Sequence, residues 1–359
     1  MNLEEVARLA GVSRSTVSRV VNDDPRVSED VRTRVQQIIR EHNYHPNAAA
    51  RSLASRRTRI LGLVFPKVTT TVFSDPFFPK LIQGAVEACN AADHNLMMLM
   101  DSSAEYIAGD RIYNRIIRGH HLDGVVIASS VVDDPIVEQL QQAGFPFVLV
   151  GRHPRYHEVN SIDVDNRAAA ESAVGHLVDH GYRRIAIITG MRNMIATIDR
   201  YAGYVTALQE AGQLPDPALM AHGGFSQEGG YAAMQQLLPH KPDAVFVASD
   251  VMAFGALRAL QEQGVRVPED IALIGFDGQD ETAHTRPPLS TVAQPITELG
   301  REAVQLLLER IEHPEDSPRH RFLPTHLILR RSCGCAEASP SLVSVGATTA
   351  EIVLPPAHS

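Results

Sequence analysis

In the run Arg14-Ser15-Thr16-Val17-Ser18-Arg19-Val20-Val21, helical spacing puts Val17, Val20 and Val21 on one face and Arg14, Ser15, Ser18 and Arg19 on the other. Arginine can pair bidentately with the major-groove edge of guanine, and hydroxyls bond to base edges and phosphates. An ordinary helical hairpin would show Glu and Lys on that face as often as Arg and Ser. A second group follows short apolar runs. Asp75 and Phe77 lie in Ser74-Asp75-Pro76-Phe77-Phe78, Ser249-Asp250 follows VFVA, and Asp277 follows IALIGF. Carboxylates beside aromatic rings suit a sugar, which offers paired hydroxyls and an apolar ring face. The plainer alternative for Asp75 and Asp277 is a cap or turn residue.

The flanking residues set the first group on a helix-turn-helix. Asn2 and Glu5 have capping-box spacing, and Val6, Ala7 and Ala10 share a face. Gly11 allows the turn, and Ser13 is an N-cap for the next helix. A third helix is expected from about Ser28 to Glu41, burying Val31, Val35, Ile38 and Ile39. The stretch Tyr44-His45-Pro46-Asn47-Ala48-Ala49-Ala50-Arg51-Ser52-Leu53-Ala54 is helix-prone but too short to hold alone. It reads as a hinge that orders only when something holds it.

Beyond Ile60, short apolar runs alternate with amphipathic segments. Strands are expected at Ile60–Phe65, Leu96–Met100, Gly124–Ala128, Phe147–Val150, Ile185–Thr189, Ala244–Ala248 and Ile271–Gly275. Helices are expected at Pro76–Ala92, Asp110–Gly119, Ala168–His180, Tyr201–Ala211, Glu228–Leu238 and Val251–Gln263. This alternation predicts parallel α/β structure, in two lobes because there are too many strands for one sheet.

Charge divides at the same place. Residues 1–59 hold 11 Lys+Arg and 7 Asp+Glu, a net of +4, whereas residues 60–359 hold 22 and 35, a net of −13. A basic headpiece on an acidic body suits a protein that touches a polyanion at one end. Three cysteines (Cys89, Cys333 and Cys335), an amino terminus without an export signal and no membrane-length apolar run predict a cytosolic protein.

AGVSRSTVSRVVN followed by YHPNAAARSLASRRT resembles the lactose-repressor (LacI/GalR) family of bacterial transcription regulators. The resemblance implies that Arg14, Ser15 and Arg19 read bases while Ser13, Thr16, Ser18, Asn22 and Tyr44 mainly contact the DNA backbone. Asn47, Ala50 and Leu53 would enter the minor groove, Leu53 as a wedge that kinks it. It also implies a fold: an all-α helix-turn-helix headpiece (1–45), a hinge helix and linker (46–59), and a two-lobed α/β effector domain of type I periplasmic-binding-protein-like form (60–335). Lobe one would take about 60–160 and 293–321, and lobe two about 161–292 and 322–335. Arg200, in Arg200-Tyr201-Ala202-Gly203-Tyr204, matches the family's cleft arginine, and Phe225 its aromatic ring. With Asp75, Phe77, Ser249 and Asp277 they form the expected effector site. Arg152 joins them, because Gly151 stands where several relatives carry Asp and the adjacent Arg points to a different or anionic sugar.

The expected protein is a homodimeric repressor of carbohydrate-utilisation genes. It binds a pseudo-palindromic double-stranded operator and responds to a small sugar in the interlobe cleft. The alternatives are a regulator sensing a phosphorylated metabolite, nucleobase or protein coregulator, and, at greater distance, an extracytoplasmic sugar-binding protein. The sequence predicts no catalytic residue, cofactor or metal. Its 16 histidines show no H-E-x-x-H pattern, and Cys333-Gly334-Cys335 has no second cysteine pair to complete a zinc site. Residues 336–359 read as a loose tail. Leu53→Ala is expected to weaken operator binding while leaving effector affinity intact, both measurable by fluorescence anisotropy; equal operator affinity would remove the wedge.

Overall fold

The computed structural model describes residues 1–21, 24–44, 57–65, 73–100, 110–119, 121–128, 131–132, 135–153, 158–335, 342–345 and 350–353. Asn22, Asn47, Ala50 and Leu53 lie outside them. The chain forms two compact units, Met1–Arg59 and Ile60–Ser359.

The first unit holds α1 (Leu3–Ala10), α2 (Arg14–Val21) and α3 (Glu29–Glu41). The capping box is present: Asn2 Oδ1 accepts from the Glu4 and Glu5 amides, and Glu5 Oε2 accepts from the Asn2 amide at 2.9 Å. Gly11 ends α1 with φ 64°, a left-handed turn that places α2 against it. Val6, Ala7, Ala10, Val17, Val20 and Val35 form the core. Of the expected stripe on α3 only Val35 is fully buried, with Val31, Ile38 and Ile39 packed at its margin.

The second unit contains two seven-stranded sheets. The first has the order β14-β11-β5-β4-β3-β1-β2, from β1 (Ile60–Phe65), β2 (Asn95–Met100), β3 (Gly124–Ala128), β4 (Phe147–Val150), β5 (Ser161–Val164), β11 (Arg319–Leu323) and β14 (Ala350–Val353). The second has the order β13-β12-β10-β9-β8-β6-β7, from β6 (Ile185–Thr189), β7 (Met220–His222), β8 (Ala244–Val247), β9 (Ala272–Asp277), β10 (Ser290–Ala293), β12 (Thr325–Ile328) and β13 (Leu342–Val345). The pairs are parallel except β11–β14, β10–β12 and β12–β13.

Strands covered on both faces must be apolar throughout, and the pleat sorts their side chains. In β1 and β3, Leu61, Leu63, Phe65, Val126 and Ala128 meet α4 (Phe77–Ala91) and α11 (Ile296–Glu312). Val64, Val125 and Ile127 face α5 (Asp110–Ile117) and α6 (Pro135–Gln142). In the second sheet, Ile185, Ile187, Phe246 and Ile274 meet α7 (Asn166–Asp179) and α8 (Ile195–Glu210). Ala186, Ile188, Val245 and Leu273 meet α9 (Gln227–Leu237) and α10 (Asp250–Glu262). No described helix is long and apolar enough to cross a membrane.

The lobe limits shift from those expected. Ser161–Val164 pairs with β4 and β11, so lobe one continues to Val164 and resumes through Leu323. The chain changes lobe at Asp165, at Gln294-Pro295 and at Pro324, and once more between β13 and β14. Helix α8 also starts at Ile195, earlier than expected at Tyr201, and Met194 just before it forms an isolated bridge with Val131 of lobe one.

The expectation of a loose tail is corrected. Leu342–Val345 pairs antiparallel with β12, and Ala350–Val353 pairs antiparallel with β11. Both runs are rich in strand-forming residues, and each satisfies the open edge of a sheet. A chain ending at residue 340 is expected to keep operator binding but to melt about 2–4 °C lower, the equivalent of roughly 1 kcal/mol in a large domain. It should also self-associate through the bared edges. Thermal melts and light scattering would check this, and unchanged values would show that the two strands add nothing.

Candidate DNA-binding face and effector cleft

On the headpiece, Ser13 Oγ accepts from the Thr16 amide at 3.1 Å and so caps α2. Its Oγ also lies 2.7 Å from Ser15 Oγ and 2.8 Å from Thr16 Oγ1. Ser13, Arg14, Ser15 and Arg19 are exposed, and Thr16 and Ser18 half-buried, on the side of α2 away from Val17 and Val20. Arg14 approaches Glu4 at 3.4 Å and Arg19 approaches Asp24 at 4.0 Å. Exposed pairs of this kind contribute about 0–1 kcal/mol, too little to hold either guanidinium against a base or phosphate. Tyr44, 8% exposed, packs its ring in the headpiece core.

In the second unit a cleft opens where the carboxyl ends of both sheets meet. Asp75, Phe77, Arg200, Phe225 and Asp277 line it, as expected. Ligands collect at such strand ends because the loops there are free of the sheet's own packing.

Arg200 is 4% exposed, so its guanidinium must be satisfied within the protein. Its Nε donates to Asn166 Oδ1 at 2.9 Å, and its Nη1 donates to the Ala248 carbonyl at 2.5 Å and to Asp277 Oδ1 at 3.5 Å. The Phe276 ring lies beneath it, 3.6 Å from Cζ to the centroid. The motif spacing has a packing cause. A methyl at Gly203 would lie 2.2 Å from the Arg167 carbonyl, so only glycine lets α8 approach α7 closely enough for Arg200 and Asn166 to meet. Burial lowers the affinity of Arg200 for its proton, and the neighbouring Asp277 and Asp163 act in the opposite sense; an arginine keeps its charge regardless.

Asp277 and Phe225 both hold positive φ, 121° and 60°. Side chains rarely adopt these values, and the surroundings hold them there. Gln294 Nε2 donates to Asp277 Oδ1 at 2.7 Å, and the Phe225 ring fills the space that a side chain at Gly190 would take. Asp250 is buried behind Asp277, accepting from the Gln279 amide at 2.8 Å and from Thr291 Oγ1 at 2.7 Å. Burial, and then its charged neighbour Asp277, push its carboxyl well above the usual range. Burial likewise raises Asp277.

Two expected residues do not line the cleft. Ser249 is the N-cap of α10, its Oγ accepting from the Met252 amide at 3.3 Å. Arg152 forms a bidentate pair with Asp199, its Nε at 2.8 Å, and so ties lobe one to α8. Lys80 reaches Asp280 across the same divide at 3.2 Å.

The sequence reading missed Asp163 and Asn166, which lie on either side of a lobe crossing. Asp163 Oδ1 accepts from the Val164 amide at 2.8 Å and from Asn166 Nδ2 at 3.1 Å. The signal was the short run Ser161-Ile162-Asp163-Val164, an acidic residue near the carboxyl end of a strand. Burial pushes the Asp163 carboxyl up to about 7, opposed by the Val164 amide.

A hydroxyl that donates to Asp163 binds the ionised carboxylate better than the acid, so ligand binding lowers its pKa and releases a proton. Effector affinity is therefore expected to rise with pH through about 7, by at most roughly tenfold per pH unit. The empty domain should lose stability over the same rise, because its folded state holds the proton more tightly than the unfolded chain. Calorimetry in buffers of different ionisation heat reads the released proton, and a flat affinity through neutrality would contradict the assignment.

Residues 2–47 match the model described as bacterial regulatory proteins, lacI family, and residues 174–333 match a periplasmic binding protein-like domain. The chain is 39% identical to the HTH-type transcriptional regulator CelR of Thermobifida fusca, over 92% of this chain and 97% of that protein. It is 36% identical to the HTH-type transcriptional repressor CytR of Escherichia coli K12, over 92% and 95%. Among solved structures, a complex of the transcriptional regulator CelR with cellobiose superposes with TM-score 0.73 at 37% identity, covering 92% of this chain and 99% of the other. The Lac repressor dimer bound to operator and the anti-inducer ONPF superposes with TM-score 0.80 at 26% identity, covering 93% and 99%.

Proposed function

The chain belongs to the lacI family of bacterial regulatory proteins, and on that premise we propose that it represses carbohydrate-utilisation genes, with operator affinity set by a small sugar in the cleft. The observation that carries the sugar is the lining itself. Arg200 is held rigid between Asn166 and Asp277, with Asp75 and Asp163 beside them and the rings of Phe77 and Phe225 in the walls. Fixed donors and acceptors with aromatic faces match paired hydroxyls on an apolar ring.

The same lining argues for a neutral ligand over a phosphorylated one. Three aspartates and one arginine surround the space, and the nearby Arg152 is occupied by Asp199. A phosphate would meet carboxylates without a free guanidinium to neutralise it. One relative, CelR, has been solved with cellobiose, which agrees with a neutral saccharide.

DNA binding falls to the exposed face of α2, one headpiece per half-site of a pseudo-palindromic operator, in a homodimer. Sugar that prefers one separation of the lobes shifts the DNA-bound population by a coupling of about 1–3 kcal/mol; induction and corepression differ only in which state it prefers. The reading makes the chain a cytoplasmic regulator, on the nucleoid when bound, and not an enzyme. Among the described residues the cleft lining holds carboxylates but no Ser, Thr, Cys, His or Lys to pair with them.

Anisotropy of labelled upstream DNA, titrated with the chain in the presence of mono- and disaccharides, tests the proposal. A salt-dependent specific complex altered by one neutral sugar is expected. Arg200→Ala should keep operator binding and lose the response by at least about 100-fold in sugar affinity, since it strips a charged hydrogen bond and unbalances Asp277. Specific binding that responds only to phosphorylated sugars would overturn the neutral ligand, and an unchanged Arg200→Ala response would remove that residue from the site.

A further inference from the structure

At the end of α7 remote from the cleft, His176, His180, Cys333 and Cys335 come together, although more than 150 residues of chain separate the histidines from the cysteines. Four residues apart on α7, the two histidines share a face, with ring centroids 4.3 Å apart. His176 Nε2 lies 3.3 Å from Cys333 Sγ and 3.5 Å from Cys335 Sγ. His180 Nε2 lies 3.5 Å from Cys335 Sγ, and the two sulfurs are 3.2 Å apart. We propose that these four side chains form a tetrahedral zinc site that fastens the carboxyl end of lobe two to α7.

The distances are those of a ligand shell. Zinc–sulfur bonds of about 2.3 Å and zinc–nitrogen bonds of about 2.0 Å give a tetrahedral sulfur–nitrogen edge of roughly 3.5 Å. The three sulfur–nitrogen separations, His176 to Cys333, His176 to Cys335 and His180 to Cys335, already lie near it. The sulfur–sulfur edge must open by about half an ångström, and Cys333 must swing in to complete the shell around His176, His180 and Cys335. Two thiolates and two imidazoles in tetrahedral array favour zinc over harder cations. The histidines are prepared as well. A carbonyl can only accept, so the 3.0 Å contact of His180 Nδ1 with the His176 carbonyl fixes the proton on Nδ1 and leaves the Nε2 lone pair facing Cys335. Gly334, at φ 93°, turns the chain so that both sulfurs face α7. The Tyr182 hydroxyl donates to the Cys333 carbonyl at 3.4 Å and braces that turn. Binding displaces two thiol protons to solvent as two sulfur–zinc bonds form.

From Asn166 to His176 the helix rises about 15 Å, so the site stands apart from the effector cleft. It lies where the last turn of lobe two, Arg331–Cys333, gives way to the chain that runs on to β13. Along the sequence, Cys-Gly-Cys offers too few ligands; the fold supplies the other two.

The test uses the full chain, reduced, stripped with a chelator and desalted. Zinc chloride is expected to bind at one ion per chain and to raise the melting temperature. Cobalt chloride should give the intense visible bands of a tetrahedral ion together with thiolate charge transfer. Cys335→Ser and His180→Ala alter the less buried half of the site, and circular dichroism confirms that each folds. Each should weaken zinc binding by more than the roughly 10–100-fold that an outer-shell partner is worth, and abolish the zinc-dependent rise in melting temperature. Failure of the wild-type chain to hold one zinc, an octahedral cobalt spectrum, or unchanged affinity in both variants would overturn the site. So would recovery of a Cys333–Cys335 disulfide from zinc-loaded protein.

Discussion

A guanidinium taken out of water must find its hydrogen-bond acceptors and counter-charge inside the protein, or the fold bears several kcal/mol of lost solvation. Arg200 is in that position, and much of lobe two is arranged around it. Its acceptors come from the start of α7 (Asn166), the end of β8 (Ala248) and the end of β9 (Asp277), so α8 can sit in only one way against the sheet. Asp277 then needs Gln294, which lies at a lobe crossing, and the network passes from one lobe to the segment that joins it to the other. The cleft is the open side of this network.

That constraint explains why the cleft and the lobe crossings are the same region. Asp163, Asn166 and Gln294 line the cleft and also flank two of the places where the chain changes lobe. A ligand bonded to them contacts both lobes and the connections between them. Arg152 with Asp199, and Lys80 with Asp280, join the lobes by side-chain pairs alone. The headpiece obeys a simpler rule. Its core is small valines and alanines closed by Tyr44, and this leaves the polar side of α2 to carry Arg14 and Arg19 outward.

The places where sequence and structure differ share a cause. Ser249 and Asp250 both follow a strand, yet Ser249 caps a helix and Asp250 is buried behind the cleft, because position along the chain does not say which way a side chain turns. Arg152 looked available to an anion, but a carboxylate 47 residues away claims it. Ser161–Val164 is too short for periodicity to assign to a lobe; its hydrogen bonds to β4 and β11 do so. The tail looked loose because four-residue runs hold as strands only when a sheet edge receives them.

By itself the sequence determined what depends on neighbours within a turn or a strand: the capping box at Asn2, the turn at Gly11, the valine and arginine faces of α2, and the alternation that makes two α/β lobes. It also carried the family motifs that place Arg200, Phe225 and Asp277 in one cleft. The tertiary structure alone decided which distant groups meet. Arg152 with Asp199, Asp163 beside Arg200, the tail strands on two sheet edges, and two histidines against two cysteines all join residues tens to hundreds of positions apart. Such pairings follow from the packing of helices on sheets, which local spacing does not encode.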